Sequence, residues 1–202
     1  MTRIATVDPR AVARAALDEG AAALKRGGMV AFPTESFYGL GVDALNAEAV
    51  GRLFALKGRT ESKPVLVLVD SVAMAEELAT EIGPGARELM ARHWPGPLTL
   101  VLRAAPHVPS GLTAGTGTVG VRMPGHAVAL ALVSAAGLAI TAPSANPSGQ
   151  PPPTTAAAVQ SYFGDRVDLI LDGGLTAGGP ASTVADCTVW PPRILRPGPV
   201  RL

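Results

Sequence analysis

The run Val65-Leu66-Val67-Leu68-Val69 leaves a strand no polar face to turn toward water. A continuous apolar strand of this kind belongs in a sheet covered on both sides. Further short strands are expected at 29–32, 98–102, 119–122, 138–141, 169–171, 182–184 and 193–195. Helical spacing separates them. A first helix is expected from an Asp8-Pro9 start, with Ala13, Leu17, Ala21 and Leu24 inward and Lys25-Arg26-Gly27 closing it. Asn46 caps a second, with Val50, Leu53 and Phe54 inward, and others are expected at 71–80, 85–93, 126–136 and 155–163. Strands and helices are interspersed, with long irregular connections. This predicts a single α/β domain over residues 1–202, core about 8–200, built on a twisted mixed β-sheet flanked by helices.

Composition narrows what such a domain can do. At 202 residues and 48% hydrophobic the chain can bury one substantial core. Its 23 glycines and 19 prolines sit between apolar segments and read as turn chemistry rather than disorder. Charged residues are 16% and the net charge is +1, which argues against a surface that coats nucleic acid. An anion site must come from local clustering. Cys187 is the only cysteine, which fits a reducing cytoplasm. Early charges such as Arg10, Arg14 and Asp18 interrupt every apolar run before it reaches membrane-spanning length.

Several chemistries lack their residues. No G-x-x-x-x-G-K-[ST] phosphate loop occurs, and Gly39-Leu40-Gly41 lacks the third glycine of a dinucleotide fingerprint. His93, His107 and His126 are far apart without cysteine partners, so no metal site is expected and each reads as a surface or packing residue. No G-x-S-x-G surrounds Ser110, Ser144 or Ser148.

What remains is a set of hydroxyls, cations and glycines. The segment Pro33-Thr34-Glu35-Ser36-Phe37-Tyr38-Gly39-Leu40-Gly41 follows a short apolar strand, where α/β folds place ligands. Lys57, Arg59 and Lys63 follow the second helix; they read either as a solvated helix end that tolerates truncation or as a phosphate clamp. Arg122 ends an apolar strand, so it either meets an internal carboxylate or awaits an anionic ligand. Ser144-Ala145-Asn146-Pro147-Ser148-Gly149 and Ser182-Thr183 are either simple turns or donors beside a flexible loop. The set holds no convincing nucleophile or histidine base. It suits nucleotidyl transfer, in which the substrate's oxygen attacks phosphorus and the protein supplies position and charge.

In this order the motifs resemble the YrdC/Sua5 family of threonylcarbamoyl-AMP synthases, whose signature is P-T-[ED]-T-x-Y-G-L, K-x-R-P, S-A-N-x-S-G, then S-T-V and R-x-G. They stand here at 33–40, 57–60, 144–149, 182–184 and 196–198. The resemblance implies a YrdC-like fold with an open concave basic cavity. It implies conversion of L-threonine, bicarbonate and ATP to threonylcarbamoyl-adenylate and pyrophosphate, for the t6A modification of adenosine 37 in tRNAs that read ANN codons. It assigns Lys57, Arg59, Lys63, Thr118, Ser144, Asn146 and Arg196 to ATP, with Lys57 and Arg59 catalytic. It assigns Thr34, Ser36, Arg122, Ala142 and Ser182 to threonine or its carbamate, with Thr118 and the Thr141-Ala142 backbone lining the same cavity. Mg2+ is expected to arrive with ATP, without a metal cage of the protein's own. The implied partners are tRNA and the downstream transferase machinery. Three positions depart from the pattern: Ser36 stands for the commoner Thr, Thr60 for Pro, and Leu68 for a histidine found in some members. The alternatives are a double-stranded-RNA, tRNA-binding or ribosome-maturation module, weakened by the near-neutral charge, and a carbamoyltransferase domain, weakened by the lone cysteine.

Overall fold

The computed structural model describes residues 1–58 and 64–202. In chain order its strands are β1 (Arg3–Thr6), β2 (Val30–Pro33), β3 (Tyr38–Gly41), β4 (Leu66–Leu68), β5 (Leu98–Arg103), β6 (Thr118–Arg122), β7 (Ile140–Thr141), β8 (Leu169–Asp172), β9 (Thr183–Asp186) and β10 (Arg193–Arg196). The helices are α1 (Arg14–Lys25), α2 (Ala47–Lys57), α3 (Val72–Leu78), α4 (Pro84–His93), α5 (Ser110–Thr113), α6 (Ala127–Ala136) and α7 (Ala156–Phe163).

The mixed α/β class is as expected, but the strands divide between two sheets. One has the order β1-β8-β2-β3, the other β10-β9-β5-β6-β4-β7, and both mix parallel and antiparallel pairs. Strand alternation explains why two sheets are needed. Ala31 and Ile170 face a core shared with Val67, Leu100 and Val121 of the larger sheet and Leu53 and Phe54 of α2. The intervening Val30, Phe32, Leu169 and Leu171 face the opposite way, onto Leu17 and Leu24 of α1 and Leu132 and Val133 of α6. Apolar cover on both faces is what the run at 65–69 required, and Leu68 joins the second cluster while Val67 joins the first.

The Asn46 cap read from sequence is in place, and the structure adds two more. Asn46 accepts from Ala49 N at 3.0 Å, and Ser71 and Thr155 cap α3 and α7 in the same way. The first helix starts later than expected. Asp8 Oδ1 accepts from Arg10 N at 2.8 Å and its carbonyl from Ala11 N, so Asp8-Pro9 forms a turn, and α1 begins at Arg14. Asp before Pro serves a turn as readily as a helix start. Strands β1 and β3 were not expected. β3 has the small residues Gly39 and Gly41 because both lie against the Phe32 ring: a Cβ at Gly41 would sit 2.8 Å from it. Among the described residues no helix is long and apolar enough to cross a membrane.

The two sheets meet along β3 and its continuation. Leu40 N donates to Pro143 O and Ala145 N to Tyr38 O, both at 2.8 Å, and Thr141 N donates to Val42 O at 3.0 Å. Thr141 is fully buried; its hydroxyl accepts from Val42 N and donates to Leu40 O. The serine-rich segment after β7 is therefore stitched to the polar segment after β2. That junction positions the site.

Candidate active site

A cavity of about 670 Å³ opens at this junction, floored by Leu66 and Leu68 of β4. Thr34, Ser36, Lys57, Arg122, Ala142, Ser144, Asn146, Ser182 and Arg196 all line it. Segments more than a hundred residues apart in sequence thus converge on one concavity. Its charged lining among the described residues is Lys57, Arg122 and Arg196, with no carboxylate. Arg59 and Lys63 lie outside the described residues. Thr118 does not line the cavity: it opens β6 at the end opposite Arg122, roughly 13 Å away at about 3.3 Å per residue, and its hydroxyl meets Thr116 Oγ1 at 2.9 Å. Thr141 is the strut described above, and only Ala142 of that pair reaches the cavity.

Lys57 is not a solvated helix end. It is 5% exposed, and its Nζ donates to the carbonyl oxygens of Ser144 and Asn146, the latter at 2.6 Å. Its own carbonyl accepts from Ser148 N at 2.8 Å. The last turn of α2 thereby clamps the Ser144–Gly149 loop, with Gly58 in the left-handed conformation (φ 58°) releasing the chain from the helix. Asn146 closes the loop from within, its Nδ2 donating to Pro147 O at 3.0 Å and Gln150 O at 2.7 Å, while its Oδ1 is buried without a partner among the described residues. The hydroxyl of Thr34 is committed locally, donating to Phe37 O at 2.6 Å. Those of Ser36 and Ser144, which also line the cavity, make no hydrogen bond among the described residues.

Arg122 has met an internal carboxylate and still lines the cavity. Its Nη2 pairs with Glu35 Oε2, its Nε donates to Gly96 O at 3.0 Å, and Gly125 N donates to Glu35 Oε1 at 2.6 Å. Glu35 was not among the expected site residues, although the segment's single carboxylate beside an arginine in need of a partner was a usable signal. Burial pushes the Glu35 carboxyl up, but the Arg122 charge and the hydrogen bonds from Arg122 and Gly125 outweigh it and hold it below the ordinary value. Burial likewise lowers His126, which precedes α6 nearby, against an opposing pull from Glu35. A carboxyl depressed in the fold contributes stability above its unfolded value of about 4.3, and loses it as pH falls through the folded value. Glu35→Gln should therefore melt below the wild type at pH 7, and the gap should close as pH falls below about 4. A gap that stays constant across that range in melting curves would rule the pair out as the source.

Arg196 and Ser182 form the opposite wall. Arg196 Nε and Nη2 both donate to Ser182 O, at 3.0 and 2.9 Å, and Nη2 also to Ser182 Oγ at 3.1 Å. Burial, and then the Arg122 charge, lower Arg196 below the usual guanidinium range. The buried Arg122 guanidinium and the more exposed one of Arg196 repel each other across the cavity and favour an anion between them. The glycine after Arg196-Pro197 has a steric reason: a Cβ on Gly198 would lie 2.4 Å from Thr183 N and 2.6 Å from Ala181 O. Only glycine lets the chain after β10 press against the Ser182 backbone. Behind Ser182, Thr99 Oγ1 lies 2.8 Å from its hydroxyl, a second residue the sequence reading passed over, although it is the one polar side chain within the apolar stretch 98–102.

The sequence matches the Sua5/YciO/YrdC family model, described as telomere recombination, over residues 22–198. It is 49% identical over 175 residues to the threonylcarbamoyl-AMP synthase of Pyrococcus abyssi, covering 87% of this chain and 52% of that protein. It is 43% identical over 196 residues to the threonylcarbamoyl-AMP synthase of Bacillus subtilis, covering 96% of this chain and 55% of that one. The chain thus spans about half the length of these two relatives. The crystal structure of P. abyssi Sua5 complexed with L-threonine superimposes with a TM-score of 0.93 at 45% identity, over 98% of this chain and 58% of that one.

Proposed function

The chain belongs to the Sua5/YciO/YrdC family, and on that premise we propose that it is a nucleotidyltransferase making threonylcarbamoyl-AMP. The observation that carries this reading is the cavity lined, among the described residues, by Lys57, Arg122 and Arg196 and by no carboxylate, with the Ser36 and Ser144 hydroxyls making no hydrogen bond among those residues. In the reaction, the threonine amine and bicarbonate form a carbamate with loss of water. A carbamate oxygen then attacks the α-phosphorus of ATP, and the α–β bond breaks to release pyrophosphate. Nucleophile and leaving group both come from substrates, so the chain needs no nucleophile of its own.

Its residues divide the work. Arg122 and Ser182 hold the amino acid's carboxylate, with Thr34, Ser36 and Ala142 around the rest of it. Ser144 and Asn146, on the loop that Lys57 clamps, and Arg196 receive the nucleotide, and the family motif assigns Arg59 and Lys63 to its phosphates as well. Cations fixed beforehand meet the charge that develops on the phosphoryl oxygens without reorganising. Among the described residues no group of three or more His, Cys, Asp or Glu forms a metal cage. Mg2+ would arrive bound to the nucleotide's phosphates, where it would help neutralise their charge. The product is an activated acyl-type adenylate, and a tRNA-modifying transferase is its consumer. The RNA-binding alternative draws no support from Lys57, Arg122 and Arg196, which line a cavity rather than an outward-facing surface.

The test is pyrophosphate release with single omissions. Release should require ATP, threonine and bicarbonate together. Serine, which lacks only the methyl, should be the strongest competitor, disfavoured by about 1–3 kcal/mol. Release of phosphate and ADP, or equal rates with alanine, would contradict the reading.

A further inference from the structure

Thr99 lies one layer behind the cavity on β5, 4% exposed between the fully buried Leu98 and Leu100. The hydroxyl of Ser182, a residue likewise 4% exposed, is the only partner of the Thr99 side chain among the described residues. A count of hydrogens fixes the direction of that contact. A serine hydroxyl has one hydrogen and two acceptor sites. Arg196 can only donate, so its Nη2 occupies one acceptor site of Ser182 Oγ. The contact with Thr99 can take its hydrogen from either oxygen. If Ser182 supplied it, the Thr99 hydrogen would be left buried without an acceptor, a costly arrangement. Thr99 therefore donates. Both acceptor sites on Ser182 are then filled, and its own hydrogen can go only into the cavity that Ser182 lines.

We infer that Thr99 is a positioning residue that sets Ser182 as an obligate hydrogen-bond donor toward an oxyanion in the cavity. Resting on the proposed function, that oxyanion is the carboxylate of threonine. Arg196 contributes to the same setting from the other side, so Ser182 discriminates by chemistry as well as position: a ligand group that can only donate finds no acceptor there.

Thr99→Val keeps the shape and removes the donor. Ser182 then has an empty acceptor site and is no longer held in one hydroxyl orientation. In pyrophosphate-release kinetics at saturating ATP, Thr99→Val should raise KM for threonine about tenfold, equivalent to about 1.4 kcal/mol. KM for ATP should stay within about twofold, and Thr99→Ser, which keeps the hydroxyl, should restore the threonine KM. In a Ser182→Ala background, Thr99→Val should add nothing further, because the residue through which it acts is gone. Thr99→Ala replaces Thr99→Val, with the same expectations, if the valine variant does not fold. The inference is overturned if the threonine KM does not move, if it rises equally in the Ser182→Ala background, or if the ATP KM rises in parallel. An active wild type with an unmoved variant removes this inference alone. A wild type without threonine-dependent pyrophosphate release removes the proposed function, and this inference with it.

Discussion

Lys57→Ala is expected to lower the melting temperature by about 6–12 °C and to reduce pyrophosphate release at least about a hundredfold. The Lys57 ammonium donates to two loop carbonyls, Ser144 O and Asn146 O, in a buried setting. Hydrogen bonds to charged groups contribute about 1.5–3 kcal/mol each, and removing the donor leaves both carbonyls short of a partner. About 3 kcal/mol is the conservative total, and each kcal/mol shifts a domain of this size by roughly 2–4 °C. The activity loss follows because the released loop is the one that presents Ser144 and Asn146 to the cavity. This reverses the expectation from sequence that the position tolerates truncation. Unchanged melting with reduced activity would return Lys57 to a direct ligand contact alone.

Arg122→Lys separates the structural duty of that residue from its binding duty. Lysine keeps a positive charge beside Glu35, so the inward ion pair survives in part and melting should fall by only a few degrees. It cannot also reproduce the Nε contact with Gly96 O or present a second nitrogen from a rigid plane. Among the described residues Nη1 makes no hydrogen bond, and it is the nitrogen left for a ligand. The threonine KM should therefore rise about tenfold or more, with ATP use changed far less. A large loss of thermal stability at unchanged threonine KM would show that Arg122 serves Glu35 and nothing else.

The parts of the fold legible in sequence were those where one local choice has one outcome. The apolar run at 65–69 could only be a strand covered twice, and Asn46 before an apolar helical face could only be a cap. Asp8-Pro9 was misread because a turn and a helix start use the same chemistry there. β3 was hidden because Gly39 and Gly41 look like loop residues until the Phe32 ring that excludes side chains is in place. In the site, motif order gathered most of the lining, yet the roles needed three dimensions. Whether Arg122 met a carboxylate depended on Glu35 crossing from another segment, and whether Lys57 faced water depended on a loop almost ninety residues away. Thr118 was drawn toward the cavity by its place in the pattern, while the length of β6 carries it to the far end.

The most direct measurement is the identity of the product. The purified protein is incubated with ATP, Mg2+, L-threonine and carbon-13 bicarbonate, and the nucleotides are resolved by mass spectrometry. The account predicts one new adenylate containing AMP, threonine and the labelled carbon, formed in step with pyrophosphate. An adenylate of threonine without the labelled carbon, or ADP as the only nucleotide product, would contradict it.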